Sequence, residues 1–107
     1  MRQLAVYKAN QWAGVLSELD YNHFQFTYNE TYLASPYPAI SVTMPKQAEP
    51  YQSNSLFPLF ANMLPEGVNR NTICRLNHID EQDYFGLLMF FVDKDIIGDI
   101  SLKLIRS

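Results

Sequence analysis

Residues 53–71, reading S-N-S-L-F-P-L-F-A-N-M-L-P-E-G-V-N-R-N, constrain the fold more than any other stretch of this chain. Leu56, Leu59, Phe60, Met63 and Leu64 recur three and four apart, which puts them on one face of a short, very apolar helix. Ser55 is positioned to cap it, because a serine hydroxyl accepts from the unpaired amides of a first turn. Pro58 falls in that turn, where its missing N–H costs little. Pro65 restricts Leu64 and predicts a break there, after which Glu66 and Gly67 lead into a second helix. Phe57 lies roughly 100° round from Leu56, at the rim of the apolar face. Two readings of that rim stand open. Phe57 completes a core, as phenylalanine commonly does, or it stays exposed beside Ser55, Pro58 and Ala61 as a contact for another protein.

Strand patterns surround this element. Residues 3–9 predict a first strand, with Leu4 and Val6 on one side and Ala5 and Tyr7 on the other. Asn10 marks a tight turn, since asparagine tolerates the left-handed conformation, and a second strand returns through Trp12, Gly14 and Leu16. Residues 23–28 alternate most clearly, with Phe24, Phe26 and Tyr28 on the face to be buried. A brief helical segment at 30–34 ends before Pro36 and Pro38. Residues 45–55, polar and without period, read as a loop. The second helix should span about 66–77, with Val68, Thr72, Ile73 and Leu76 inward and Arg70 and Arg75 projecting away. Asp80 offers an N-cap, with Asp83 three residues on. The third helix, starting at Glu81, would then gather Tyr84, Leu87, Leu88 and Phe91. Gly98 and the alternating Ile100, Leu102 and Leu104 predict a closing strand over 96–105. The expected architecture is α+β: a small antiparallel sheet of N-terminal strands plus a C-terminal strand, packed against about three short helices.

At 107 residues the chain suits one domain, residues 1–107, with a single modest core. Its net charge of −3 argues against a nucleic-acid footprint of its own. The lone cysteine, Cys74, leaves no internal disulfide and fits a reducing compartment. No apolar run approaches the ~20 residues a membrane span requires, and no signal sequence is legible at the start, so a cytoplasmic location is expected.

Several of these segments together resemble one family. L-F-P-L-F-A-N-M-L-P-E-G is similar to the signature of the N-terminal domain of HipA-type kinases, in which an aromatic-rich helix runs through a Leu-Leu-Pro-Glu-Gly-like turn into an Arg-bearing helix. Residues 10–15 resemble that family's Asn-Gly-x-x-x-Gly opening, with Gln11 where glycine is usual. Y-L-A-S-P followed by A-I-S-V-T-M-P is similar to its tyrosine/tryptophan-leucine-alanine segment and Ser-rich fourth strand, and that resemblance implies a strand at about 39–44 with Ile40, Val42 and Met44 pointing inward. Y-F-G-L-L-M-F-F-V-D-K-D-I-I-G-D-I-S-L resembles its leucine-rich helix, Asp-containing turn and last strand, without the usual glycine pair before the aspartate. The resemblance runs from Leu4 to about Leu104.

The family's enzymes phosphorylate protein serine or threonine, which requires a nucleotide loop, a base and acidic metal ligands. The four glycines of this chain are scattered singly, outside any G-x-G-x-x-G setting, and no H-R-D-like or D-F-G-like stretch occurs. Cys74 and His78, four apart, are two ligands where zinc needs three or four. No enzyme activity, cofactor or metal is therefore expected. What the resemblance implies is a free-standing, HipS-like antitoxin subunit of a three-component HipBST toxin–antitoxin system. Its partners would be a separate HipA-like kinase toxin and, in the same complex, a helix-turn-helix DNA-binding protein, with no direct nucleic-acid or membrane contact. On that reading the kinase meets Ser55, Phe57, Pro58 and Ala61. A structural subunit that completes or activates the kinase, or an unrelated adaptor of the same fold, are the alternatives.

Overall fold

The computed structural model describes residues 2–64, 67–91 and 100–105. The expected break at Pro65, the Asp-containing turn and Gly98 lie outside these residues, as do the side chains of Val68 and Phe91. Strands β1 (Arg2–Lys8), β2 (Gln11–Asp20) and β3 (His23–Tyr28) form a meander. Short helix α1 (Glu30–Leu33), strand β4 (Tyr51–Ser53), helices α2 (Pro58–Ala61), α3 (Gly67–Asn77) and α4 (Tyr84–Phe91), and strand β5 (Ile100–Leu104) follow. The five strands make one antiparallel sheet in the order β4-β3-β2-β1-β5. The fold is α+β, as the patterning implied.

The hairpin between β1 and β2 has a two-residue loop. Ala9 and Asn10 take φ of 49° and 66°, the paired positive values that match the twist of the flanking strands. Asn10 adopts the left-handed conformation read from the sequence; the turn begins one residue before it. Register then aligns Leu4, Leu16 and Phe26 in one row and Val6, Gly14 and Tyr28 in the next. Except for Gly14, these side chains belong to one buried cluster. A bulge opposite Val6 and Tyr7 leaves Ala13 as the extra residue, and its carbonyl accepts from the Asn29 amide at 2.9 Å, fixing the entry to α1. Beside the bulge, a Cβ on Gly14 would stand 2.3 Å from the Thr27 carbonyl oxygen and 2.8 Å from the Phe26 ring. Only glycine lets β2 and β3 approach this closely.

Helices pack on the face that carries Phe24, Phe26 and Tyr28. Phe24 stacks on Phe85 of α4 with centroids 6.4 Å apart, and Phe26 meets Phe60 of α2 at 6.2 Å. Phe85 is fully buried with Leu87 and Leu88. A polar fastening ties this layer to the paired strands β1 and β2. The Arg2 guanidinium donates from Nη2 and Nη1 to the two Asp83 oxygens at 2.7 and 3.1 Å, and from Nε to Glu18 at 2.8 Å. It also lies 5.3 Å from the Phe85 ring centre. Asp83 in turn accepts from the Gly86 amide at 3.0 Å, which makes it the N-cap of α4. The Arg2 hydrogen bonds, with the Gly86 amide, hold the Asp83 carboxyl below its ordinary range, and the same pairing raises Arg2 above its own.

Several expectations need correcting. The cap of α4 is Asp83, not Asp80, and the helix starts at Tyr84. Asp80 instead turns the chain, its carboxylate accepting from the Gln82 amide at 2.8 Å. Residues 39–44 form no strand: a bridge joins Ser41 to Met44, and Val42 sits at the tip, 97% exposed. Both flanks of that turn are tied to one buried hydroxyl, since Tyr28 donates to the Met44 carbonyl and accepts from the Ile40 amide. Ile40 and Met44 are buried, but a tight turn rather than a pleat delivers them. The supposed loop at 45–55 contains β4, pairing with Phe24, Gln25 and Phe26. On α3, Leu76 faces solvent and Cys74 faces the core, while Arg70 is half-buried instead of projecting away.

Candidate partner-binding surface

Within the segment singled out from the sequence, the expected apolar helix is a single turn, Pro58–Ala61, that ends before Met63 and Leu64. Tyr51–Ser53 joins the sheet edge, and Ser53 Oγ then accepts from the Ser55 amide at 3.2 Å, bending the chain away from the strand. Phe57, not Ser55, is the N-cap residue of α2. Its backbone is extended at φ −59° and ψ 141°, and its carbonyl accepts from the Phe60 and Ala61 amides, each at 2.9 Å. No side chain caps this helix. Pro58 takes the first helical position, as expected of a residue with no N–H to satisfy.

This local geometry decides the rim. Phe57 is only 8% exposed and meets Phe60 edge-to-face, with centroids 6.4 Å apart. Angular spacing on a helix does not apply to Phe57, because the helix begins after it. An extended Phe57 swings its ring into the core alongside Leu56 and Phe60, and the reading of an exposed anchor is corrected accordingly. Ser55 and Pro58 are exposed and Ala61 is half-buried. Of the four, Ser55 and Pro58 face solvent, Ala61 is partly covered, and Phe57 lies in the core beneath them.

Ser55 and Ala61 also line a groove of about 320 Å³ between α2, α3 and α4. Leu56 and Leu64 supply its apolar walls, Asn62 its rim, and Arg70 and Tyr84 its far side. The Arg70 guanidinium lies 5.3 Å from the Tyr84 ring centre, within cation–π range. The sequence pattern did not bring Arg70 to this site; its helical phase relative to Cys74, the buried residue four positions on, was the available signal. A second concavity, about 430 Å³, opens beside β1 and β5. Tyr7, Trp12, Val15, Lys103, Leu104 and Ile105 line it.

Cys74 and His78 are not brought together as ligands. The Cys74 thiol is buried, and burial pushes its pKa up. His78 is exposed in the left-handed conformation, φ 57°, just past the end of α3. There the Ile79 amide donates back to the Cys74 carbonyl at 2.9 Å, the closing bond of a Schellman-type helix end. Among the described residues no group of three or more His, Cys, Asp or Glu side chains is arranged to hold a metal ion. No helix among them is long and apolar enough to cross a membrane.

Residues 4–103 match the family model of the HipA N-terminal domain. The chain belongs to this family. A solved structure of the N-terminal domain of HipA toxin is similar to it, with a TM-score of 0.67 and 28% identity, covering 99% of this chain and 96% of that one. An uncharacterized protein from Haemophilus influenzae is 34% identical over 89 residues, spanning 83% of this chain and 80% of the relative. The likeness to HipA is therefore to its N-terminal domain, without the kinase domain. Within the HipA N-terminal domain described here, the signature stretch provides α2, the groove beside it and the entry to α3.

Proposed function

We propose that this HipA N-terminal domain acts as the antitoxin of a toxin–antitoxin system, binding a separate HipA-like serine/threonine kinase toxin and neutralising it in the cytoplasm. The observation that carries the reading is the extent of the match. It takes in nearly all of this chain and nearly all of the HipA toxin's N-terminal domain, and nothing of a kinase body. The Haemophilus influenzae relative, aligned over 80% of its length, is itself a short protein. A HipA N-terminal domain carried apart from a kinase body would meet it in trans, so binding would be reversible and concentration-dependent. The chain itself carries out no phosphoryl transfer. Any role of a helix-turn-helix protein is reached through the complex and not through DNA contacts by this acidic domain.

The contact surface is the outward side of α2: Ser55, Pro58 and Ala61, with Phe57 beneath them as a rigid support. The test is a phosphorylation assay of the kinase with increasing amounts of this chain, paired with a growth assay on co-expression. Phosphorylation falls and growth is restored if the chain is an antitoxin; a rise in phosphorylation makes it an activating subunit instead. Failure to bind the kinase at all removes both. Pro58→Asp, which alters an exposed residue at a position where aspartate suits a helix start, is expected to stay folded and lose neutralisation.

A further inference from the structure

Between α1 and β4 the chain forms no helix or longer strand, yet side chains fix its backbone at many points. The Tyr28 hydroxyl donates to the Met44 carbonyl and accepts from the Ile40 amide. The Tyr32 hydroxyl donates to the Pro38 carbonyl at 2.7 Å, and that of Tyr51 to the Pro45 carbonyl. The Lys46 ammonium donates to the carbonyls of Ser35 and Tyr37, at 2.8 and 2.9 Å, and lies 5.3 Å from the Tyr32 ring centre. Tyr32 also stacks on Tyr28 and on Tyr37, with centroids 6.0 and 5.9 Å apart. What this scaffold holds out is Val42. The Met44 amide donates to the Ser41 carbonyl at 3.0 Å, closing a β-turn with Val42 and Thr43 at its corners. The Ser41 and Thr43 hydroxyls engage each other at 3.0 Å, while the Val42 isopropyl group stands almost wholly in water.

A lone exposed aliphatic residue is ordinary on a protein surface; one at the apex of a tightly fastened turn is not. Neither corner residue takes a positive φ, and turn corners favour glycine, proline, asparagine, aspartate and serine. Valine therefore serves neither the turn nor the core here. Fixing a loop in its bound shape removes the ordering cost that otherwise opposes association, so the fastenings suit a segment that inserts into another molecule. We propose that residues 35–46 form a second contact element for the partner kinase, a rigid convex finger whose Val42 side chain seats in an apolar socket sized for a branched aliphatic group. Shape and chemistry select the occupant: a projecting turn with one isopropyl group, two mutually engaged hydroxyls and no charge at its tip fits a concave apolar protein surface. The inference rests on the antitoxin reading and adds to it a contact made by a turn and not by α2.

The test is the affinity of the purified kinase for wild-type chain, Val42→Asp, Val42→Thr and Lys46→Met, with circular dichroism confirming that each variant is folded. Val42 touches water and not the core, so its variants should melt like wild type. Val42→Asp should weaken binding by roughly tenfold or more, because its carboxylate would be buried without a partner. Val42→Thr keeps the shape but sets a hydroxyl in the socket, and should weaken binding roughly threefold or more. Lys46→Met leaves the tip unchanged and releases the Ser35 and Tyr37 carbonyls. It should speed amide exchange across the segment and weaken binding by about threefold or more. Wild-type-like binding by Val42→Asp overturns the finger while leaving the antitoxin reading intact. The same result for Val42→Thr overturns the apolar socket, and for Lys46→Met the rigid presentation. Self-association of the wild-type chain that Val42→Asp abolishes gives the tip to a second copy and overturns the kinase as its occupant. No binding by wild type removes both readings.

Discussion

Replacing Asp83 tests whether one carboxylate both starts α4 and pins that helix to the sheet. In Asp83→Ala the Gly86 amide loses its acceptor, a capping loss of about 1 kcal/mol. The forked pair with Arg2 is lost as well. Its hydrogen bonds, at 2.7 and 3.1 Å, have good geometry, but both side chains are about one-third exposed. Solvent screening therefore limits the pair to about 1 kcal/mol. The sum is about 2 kcal/mol, or a fall in Tm of roughly 8 °C or more for a domain of this size. Asp83→Asn keeps a competent cap and loses only the ion pair, so it should cost about half as much. The pH dependence has a definite sign. A carboxyl whose folded pKa is depressed contributes stability that is fully present above its unfolded value, near 4, and is lost as pH falls through the folded value. Wild type should therefore lose its advantage over Asp83→Asn on acidification below about pH 4. Urea titrations followed by far-ultraviolet circular dichroism at pH 7 and at lower pH measure this. A cost below about 0.5 kcal/mol for Asp83→Ala, or an advantage over Asp83→Asn that does not change with pH, would refute the reasoning.

Gly14→Ala should destabilise by about 2 kcal/mol, within the usual range for overpacking, because its Cβ meets the Thr27 carbonyl; a chemical denaturation midpoint equal to wild type would contradict this. Tyr28→Phe leaves the Ile40 amide and Met44 carbonyl without their shared hydroxyl and should cost about 1–3 kcal/mol, with faster amide exchange across residues 40–44 as the local signature. His78→Gly should raise stability by about 0.5–1 kcal/mol, since glycine takes the left-handed helix end without a Cβ penalty; calorimetry showing a lower Tm would count against it. Phe57→Ala should cost about 3–5 kcal/mol as a core truncation, and a variant that stays as stable as wild type would return Phe57 to the surface.

Sequence by itself determined the elements whose signals are local. Alternation at Phe24, Phe26 and Tyr28 specifies β3, because a strand exposes one face and buries the other. Asn10 signals a hairpin turn, and Pro58 with the following apolar residues specifies a helix there, although its cap is Phe57 and not the expected Ser55. The paired motifs also carried the family, since they recur in order along nearly the whole chain. Tertiary structure decided whatever depends on a partner distant in sequence. The spacing favours Asp80 as the cap with Asp83 three residues on, but Asp83 takes the cap while also pairing with Arg2, 81 residues away. Val42 continues a strand-like pattern, but the Tyr28 hydroxyl gathers the backbone on both sides of it into a turn and leaves it in water. Phe57 was ambiguous for a similar reason. Helical spacing assigns it to a rim only if the helix includes it, and the extended backbone before Pro58 puts its ring in the core. The groove beside α2 had no sequence signature, because its lining comes from α2 and the residues flanking it together with Arg70 of α3 and Tyr84 of α4. Periodicity records which side of an element is apolar; it does not record what the other elements leave uncovered.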